Sequence, residues 1–313
     1  MEKWNVKKIL DWGIDFFKGK DVPQPRLSAE LLLASVLGLS RINLYLNYNR
    51  VLTSGELKTY KEHILKRLEH VPIQYILNEA YFRNIRLYVD ENVLIPRSET
   101  ELIVEKSLEI AEGILNKKGC VTIAEIGTGS GAIALSLYSE LKNRSEGSSG
   151  SGLECTIIAT DSSIDALEVA RKNAQDILET RDLENIEFIQ CDILPEADSF
   201  MFKKYCGKID IIISNPPYIR EDDLPGLSRE VREYEPGAAL VAGRTGLEIY
   251  ERILSAAAPY LTAESPAYII LETDPIVSGG LLELIEGTIG FRQALLEKDY
   301  NKKDRILIAN WSL

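Results

Sequence analysis

The chain has 313 residues, is 45% hydrophobic, and sets 36 Lys and Arg against 48 Asp and Glu for a formal net charge of −12. This is enough apolar material to fill globular cores, and at about 150 residues per domain the length suits two domains. No apolar run approaches the roughly 18 residues of a membrane span, and the charge is confined to the latter part: residues 1–92 carry 14 basic against 11 acidic side chains, residues 93–313 carry 22 against 37, which excludes a basic stripe for tight non-specific nucleic-acid binding.

The opening Met1-Glu2-Lys3-Trp4-Asn5 lacks the basic-then-apolar order of a secretory leader, so a cytoplasmic protein is expected. Leu27, Glu30, Leu31, Ala34 and Leu37 follow a mainly apolar helical spacing after Pro25. Leu57, Ile64, Leu65 and Leu68 continue a helix begun near Thr53 and Ser54, with Glu56 in capping-box position to Thr53. Residues 1–72 therefore read as a small helical domain. His63 and His70 on its last helix have no third ligand nearby and receive no role. From Ile73 to Ile95 the period shifts towards two around Asn84, which predicts a β-hairpin linker over 73–95. Leu94-Ile95-Pro96-Arg97-Ser98-Glu99-Thr100-Glu101 then opens a helix, with Ser98 as its N-cap, and the third segment runs over 96–313.

Strand-like runs follow at Val121 to Ile126, Cys155 to Thr160, Ile186 to Gln190, Ile209 to Ser214 and Ala267 to Glu272. Helical patterns lie between them, at about 130–141, 163–180, 244–261 and 276–287. Phe291 to Leu296 and Arg305 to Trp311 suit a closing hairpin at a sheet edge, and the Ser/Gly-rich 145–152 reads as a flexible loop. Such alternation predicts an α/β fold with a doubly wound, mostly parallel sheet. The four cysteines stand far apart without a C-x-x-C pair, which argues against a disulfide framework or a zinc site, and no metal is assigned.

Four strand tips carry the chemistry. Glu125-Ile126-Gly127-Thr128-Gly129-Ser130-Gly131 ends the first, and its glycines allow a tight turn and close approach of a ligand to bare backbone ahead of a helix N-terminus. The spacing is neither the dinucleotide fingerprint nor a Walker loop. Asp161, at the tip of the second strand, is placed either to accept from both hydroxyls of a ribose or to cap the next helix. Asp192, after the third, is placed either to accept from an exocyclic adenine amine or to serve as a turn aspartate. The fourth tip is Ser214-Asn215-Pro216-Pro217-Tyr218. Asn215 offers a side-chain carbonyl and Pro216 a backbone carbonyl, two acceptors at one strand tip. Consecutive prolines keep these residues extended without a competing N–H, and Tyr218 adds a flat wall.

Together these tips resemble the class I S-adenosylmethionine-dependent methyltransferases, in which an Asn-Pro-Pro-Tyr tip implies methylation of a planar amide or exocyclic amine nitrogen, whose delocalised lone pair requires that acceptors hold both of its N–H protons. Val71-Pro72-Ile73-Gln74-Tyr75-Ile76-Leu77, Leu94-Ile95-Pro96-Arg97 with Glu99-Thr100-Glu101, Tyr234-Glu235-Pro236 with Ala239-Leu240, and Gly243-Arg244-Thr245-Gly246-Leu247-Glu248-Ile249-Tyr250 extend the likeness along nearly the whole chain to the bacterial peptide chain release factor glutamine methyltransferases, the PrmC/HemK family. The resemblance implies a seven-stranded sheet, and methyl transfer from S-adenosylmethionine to the glutamine of the Gly-Gly-Gln motif in class 1 release factors. It implies Asn215, Pro216 and Tyr218 as catalytic residues and Glu125, Gly127, Thr128, Gly129, Gly131, Asp161, Asp192 and Asn215 as cofactor-binding. Asn215, Pro216, Pro217, Tyr218 and Arg97 would bind substrate, the strip Pro96 to Glu101 would line the site entrance, and the helical domain would help dock the release factor. The expected enzyme is a monomer that binds no nucleic acid directly and no membrane.

Some positions depart from the family pattern. Asn78 and Asn84 stand where glycine is common, and both tolerate left-handed turns. Glu272-Thr273-Asp274-Pro275 keeps the usual glutamate but changes the loop after it, and the 145–152 stretch is atypical. Two other readings compete: an adenine-N6 nucleic-acid methyltransferase, which needs a basic target-recognition domain, and a non-catalytic cofactor-binding module, which has no need of the intact Asn215-Pro216-Pro217 tip.

Overall fold

The computed structural model describes residues 3–146 and 154–312. Side-chain caps set where the first helices begin. Asn5 accepts from the Lys8 amide at 2.9 Å and starts α1 (Val6–Lys18), while α2 (Pro25–Leu37) carries proline at its first position and ends on left-handed Gly38. After the short α3 (Arg41–Leu46), α4 (Ser54–Leu68) opens on the expected capping box of Thr53 and Glu56. The last helix of the series, α5 (Ile73–Leu77), stops at Asn78, whose φ of +51° supplies the left-handed residue that glycine would otherwise provide. Val6, Phe17, Leu32, Leu33 and Tyr60 form the centre of this helical core.

The next elements build the sheet. In chain order they are β1 (Ala80–Phe82), β2 (Ile85–Leu87), α6 (Glu101–Lys118), β3 (Val121–Ile126), α7 (Ala132–Glu146), β4 (Cys155–Asp161), α8 (Ile164–Ile177), β5 (Ile186–Gln190), α9 (Phe200–Tyr205) and β6 (Ile211–Ser214). Then come β7 (Ile219–Arg220), α10 (Arg229–Tyr234), β8 (Val241–Gly243), α11 (Glu248–Ala257), β9 (Ala267–Glu272), α12 (Ser278–Gly287), β10 (Phe291–Lys298) and β11 (Asp304–Trp311). The seven-stranded sheet runs β10-β11-β9-β6-β3-β4-β5, with β11 antiparallel to both of its neighbours and the other pairs parallel. Strand β6 is buried at all four positions because helices cover both faces, and this is why the run Ile211-Ile212-Ile213 does not alternate. The chain winds from β3 outward to β5 and returns to the other side of β3 with β6, creating the switch point where α/β sheets hold ligands.

Contacts gather the chain into two compact units, Met1–Glu79 with Ser228–Tyr234, and Ala80–Leu227 with Glu235–Leu313. In the first, Arg67, only 3% exposed, donates to Glu230 of α10 at 2.6 Å, and the Tyr234 hydroxyl donates to the Glu69 carbonyl at 2.7 Å.

Four local expectations are corrected. Residues 73–77 are helical, and the hairpin occupies only 80–87. Its left-handed turn residue is Arg83, with φ of +49°, and not Asn84. Strand β6 starts at Ile211 instead of Ile209, since the buried Asp210 carboxylate takes the Thr122 amide at 2.9 Å and the Lys118 ammonium at 2.9 Å, leaving Ile209 in a lone bridge to Leu261. Helix α6 starts at Glu101, because residues 97–101 form a tight turn after Pro96 and the Ser98 hydroxyl bonds Glu99 instead of capping. The stretch expected to loop over 145–152 lies, from residue 147 on, outside the described residues. No helix among the described residues is long and apolar enough to cross a membrane.

Candidate active site

The tips of β3, β4, β5 and β6 converge on one cavity of about 510 Å³ at the switch point. The turn after β3 is held in shape from below. Gly127 and Thr128 both donate their amides to the Thr160 carbonyl at 2.9 Å, Gly131 donates to the Thr128 carbonyl at 2.8 Å, and all three glycines have φ between +53° and +81°. A Cβ built on Gly127 or Gly129 meets nothing within 4 Å, so the bare backbone there faces open space that a ligand can fill. Gly131 differs, because its Cβ would press Leu135 at 3.0 Å and Ala170 at 3.4 Å.

Glu125 does not reach into that space with a free carboxylate. It is 1% exposed, accepts from the Thr128 hydroxyl at 2.7 Å and the Ala134 amide at 3.1 Å, and braces the turn against the start of α7. Burial pushes its carboxyl up to about 8, against the pull of those two donors. Asp161 accepts from the Gly129 amide at 2.9 Å through one oxygen and from the Ser163 amide at 2.9 Å through the other. The α8 cap is Ser163, whose hydroxyl accepts from Ala166 at 3.1 Å, so Asp161 lies on the cavity wall beside the glycine turn and does not cap the helix. Asp192 is exposed and ion-paired to Arg252 of α11, and both line the cavity. Next to it Ile193 is held left-handed at φ of +65°, with its carbonyl bound by the Thr160 hydroxyl at 2.8 Å.

The β6 tip closes the other side. Ser214 donates to the Ile126 carbonyl at 2.8 Å and ties β6 to β3, and Asn215, Pro216 and Pro217 line the cavity. Asn215 donates through Nδ2 to the Thr100 hydroxyl at 3.1 Å, which leaves its side-chain carbonyl unspent on that contact. Arg97 also lines the cavity and donates to both carboxylate oxygens of the buried Glu235, at 2.6 and 2.7 Å. Tyr218 is placed differently from expectation, for the described residues that line the cavity do not include it. In extended chain neighbouring side chains face opposite ways. With Pro217 on the cavity wall, the Tyr218 ring packs into the core and its hydroxyl donates to Glu272 at 3.5 Å. Burial pushes that hydroxyl well above the ordinary tyrosine range.

Ile193, Arg252 and the wall from Pro236 to Val241 were not singled out from the sequence as site residues, whereas Thr100 falls within the Pro96 to Glu101 strip expected at the site entrance. Tyr234-Glu235-Pro236 and Ala239-Leu240, among the family-like segments, pointed towards that wall. Asp192 was found, but nothing in its surroundings along the chain announces Arg252, 60 residues on.

Comparison with known proteins adds independent findings. The family model described as the PrmC N-terminal domain matches residues 8–77, and one for a methyltransferase domain matches residues 116–248. The chain is 40% identical over 305 residues to the release factor glutamine methyltransferase of Chlorobaculum tepidum, covering 96% of each chain. It is 34% identical to that of Bacillus subtilis, covering 97% of each. Among solved structures, the release factor-specific protein-(glutamine-N5) methyltransferase of Alicyclobacillus acidocaldarius is 20% identical with a TM-score of 0.36, over 70% of this chain and 95% of that one.

Proposed function

The chain belongs to the release factor glutamine methyltransferases, and from that premise we propose that it transfers a methyl group from S-adenosylmethionine to the side-chain amide nitrogen of the Gly-Gly-Gln glutamine in class 1 release factors. The observation that carries the proposal is a single cavity walled by the glycine turn and Asp161 on one side and by Asn215, Pro216 and Pro217 on the other. The open space over Gly127 and Gly129 fits a nucleoside methionine conjugate lying on bare backbone, and Asp161 is an acceptor for ribose hydroxyls. Asp192 would accept from the adenine amine once Arg252 moves aside. When bound, the donor supplies an electrophilic methyl group on sulfonium.

The chain's own residues do the rest by holding and orienting. Asn215 Oδ1 and the Pro216 carbonyl accept the two N–H protons of the glutamine amide and turn its nitrogen towards the methyl group. As the N–C bond forms and the S–C bond breaks, positive charge grows on nitrogen, and these same acceptors stabilise it. The extra proton leaves to solvent afterwards, so no strong base is needed before transfer. Pro217 shapes the wall beside the amide, Arg97, anchored by Glu235, is the cation at the entrance, and Tyr218 fixes the loop from the core side. The release factor is docked by the helical domain over residues 1–72. The acidity of residues 93–313 argues against nucleic acid as substrate, and a cytoplasmic monomer is the form in which we expect the enzyme to work.

Mass spectrometry of an unmethylated class 1 release factor, incubated with S-adenosylmethionine and either the wild-type enzyme or Asn215→Ala, tests this. One methyl group is expected on the Gly-Gly-Gln glutamine with wild type, and a rate lower by about 100-fold or more with the variant. Methylation elsewhere, or none despite donor binding, would refute it.

A further inference from the structure

Asparagine is a poor choice for the buried face of a helix, where its amide must find partners away from water. Asn173, 1% exposed on α8, finds them outside its own helix. Its Oδ1 accepts from the Tyr88 amide at 2.8 Å, and its Nδ2 donates to the Tyr88 carbonyl at 3.0 Å and to the Ser130 carbonyl at 2.8 Å. This side chain has one carbonyl oxygen and two N–H donors, and each is engaged. The amide cannot be turned over, because its NH2 would then meet the Tyr88 N–H and its oxygen two carbonyls.

The two partners belong to different stretches of the cavity wall. Ser130 lies in the glycine turn and lines the cavity, and among residues 127–131 its amide alone has no acceptor among the described residues, which leaves that N–H for a ligand. Tyr88 begins the segment whose Asn92, Val93, Leu94, Pro96 and Arg97 line the cavity further along. Asn173 meets Tyr88 as a neighbouring strand would, through N–H and C=O together, just where β2 has run out of ladder after Leu87. From the same helix, Lys172 Nζ sits 3.1 Å from the centre of the Tyr88 ring. Backbone and ring of Tyr88 are thus both held by α8, and one side chain joins that anchor to the turn on which the donor would lie.

We propose that Asn173 is a positioning residue that clamps the segment at Tyr88 to the glycine turn at Ser130, so that the donor and the wall bearing Arg97 are held in one register. This rests on the donor site proposed above.

The clamp can be read without turnover. S-adenosylmethionine alone, added to the wild type, should slow amide exchange at Tyr88 by about threefold or more, because a ligand that needs the clamped turn raises the cost of opening the clamp. Asn173→Ala should raise the calorimetric donor Kd about 10-fold and abolish the donor's effect on Tyr88 exchange. Val169→Ala, which removes buried apolar atoms from the same helix and keeps the amide, is the control: it should lower the melting temperature yet leave donor Kd within about twofold of wild type. Unchanged exchange at Tyr88 in the donor-bound wild type would overturn the assignment without any variant, and it decides alone should Asn173→Ala fail to fold. A folded Asn173→Ala with donor Kd within about twofold of wild type would overturn it too. Donor binding weakened equally by Val169→Ala and Asn173→Ala would mark a packing role and overturn it as well. A wild type that binds the donor but methylates no release factor would refute the substrate proposed above and leave these binding readouts to decide Asn173, whereas a wild type that binds no donor would end both readings.

Discussion

Glu125 holds its proton at neutral pH, with its carboxyl near 8, whereas in the unfolded chain a glutamate ionises near pH 4.3. An acid whose folded pKa is raised favours the unfolded state as pH climbs, because unfolding releases the proton. Its cost therefore grows from about pH 4.3 to about pH 8 and is constant above. Glu125→Gln has no proton to release and still offers an oxygen to Thr128 and Ala134. The melting temperature of this variant should gain on wild type steadily between about pH 5 and about pH 8. A difference that stays constant across that range would show Glu125 titrating as an ordinary carboxylate. At this scale the sequence identifies a glutamate ahead of a glycine turn but not its burial, since the covering side chains come from other strands and helices.

Among the elements, the turn after β8 bears most directly on the Asn-Pro-Pro-Tyr tip. Gly246 has φ of +82°, and a Cβ there would stand 2.8 Å from the Tyr218 carbonyl oxygen and 2.8 Å from Val277. Gly246→Ala should cost about 1–2 kcal/mol of left-handed strain. By pushing on the Tyr218 backbone, it should lower kcat about 10-fold with little change in donor affinity, as steady-state rates and calorimetry would show. An unchanged kcat in a folded variant would mean that the turn and the tip are mechanically independent. The long elements were legible because strand-length runs rich in Ile, Val and aromatic residues favour a pleated sheet, and β3, β5 and β9 begin and end where those runs do. The misreadings fall where a side chain answers to a distant partner. Ser98 looks like the cap of α6 but the chain is still turning there, and Thr100 takes the position while bonding a residue 115 positions away. Asp210 interrupts an apolar run because Thr122 and Lys118 claim its carboxylate.

At the scale of the whole molecule, the sequence suggests consecutive segments, one after another. The chain instead returns to its first unit over Ser228–Tyr234, a short polar stretch with no local sign of where it belongs. Its place is set by a buried guanidinium, Arg67, that needs Glu230, and by the Tyr234 hydroxyl on the Glu69 carbonyl.

That return makes the molecule topologically latched. The backbone passes between the two units at 79/80, 227/228 and 234/235, so a single cut at the first of these severs the chain without freeing a self-sufficient piece. The amino-terminal fragment would keep its grip on α10, which remains covalently part of the other fragment. Protein nicked once between Glu79 and Ala80 should therefore elute as one species in native gel filtration and separate into two only in denaturant. Additional Glu230→Gln and Tyr234→Phe substitutions should loosen that hold.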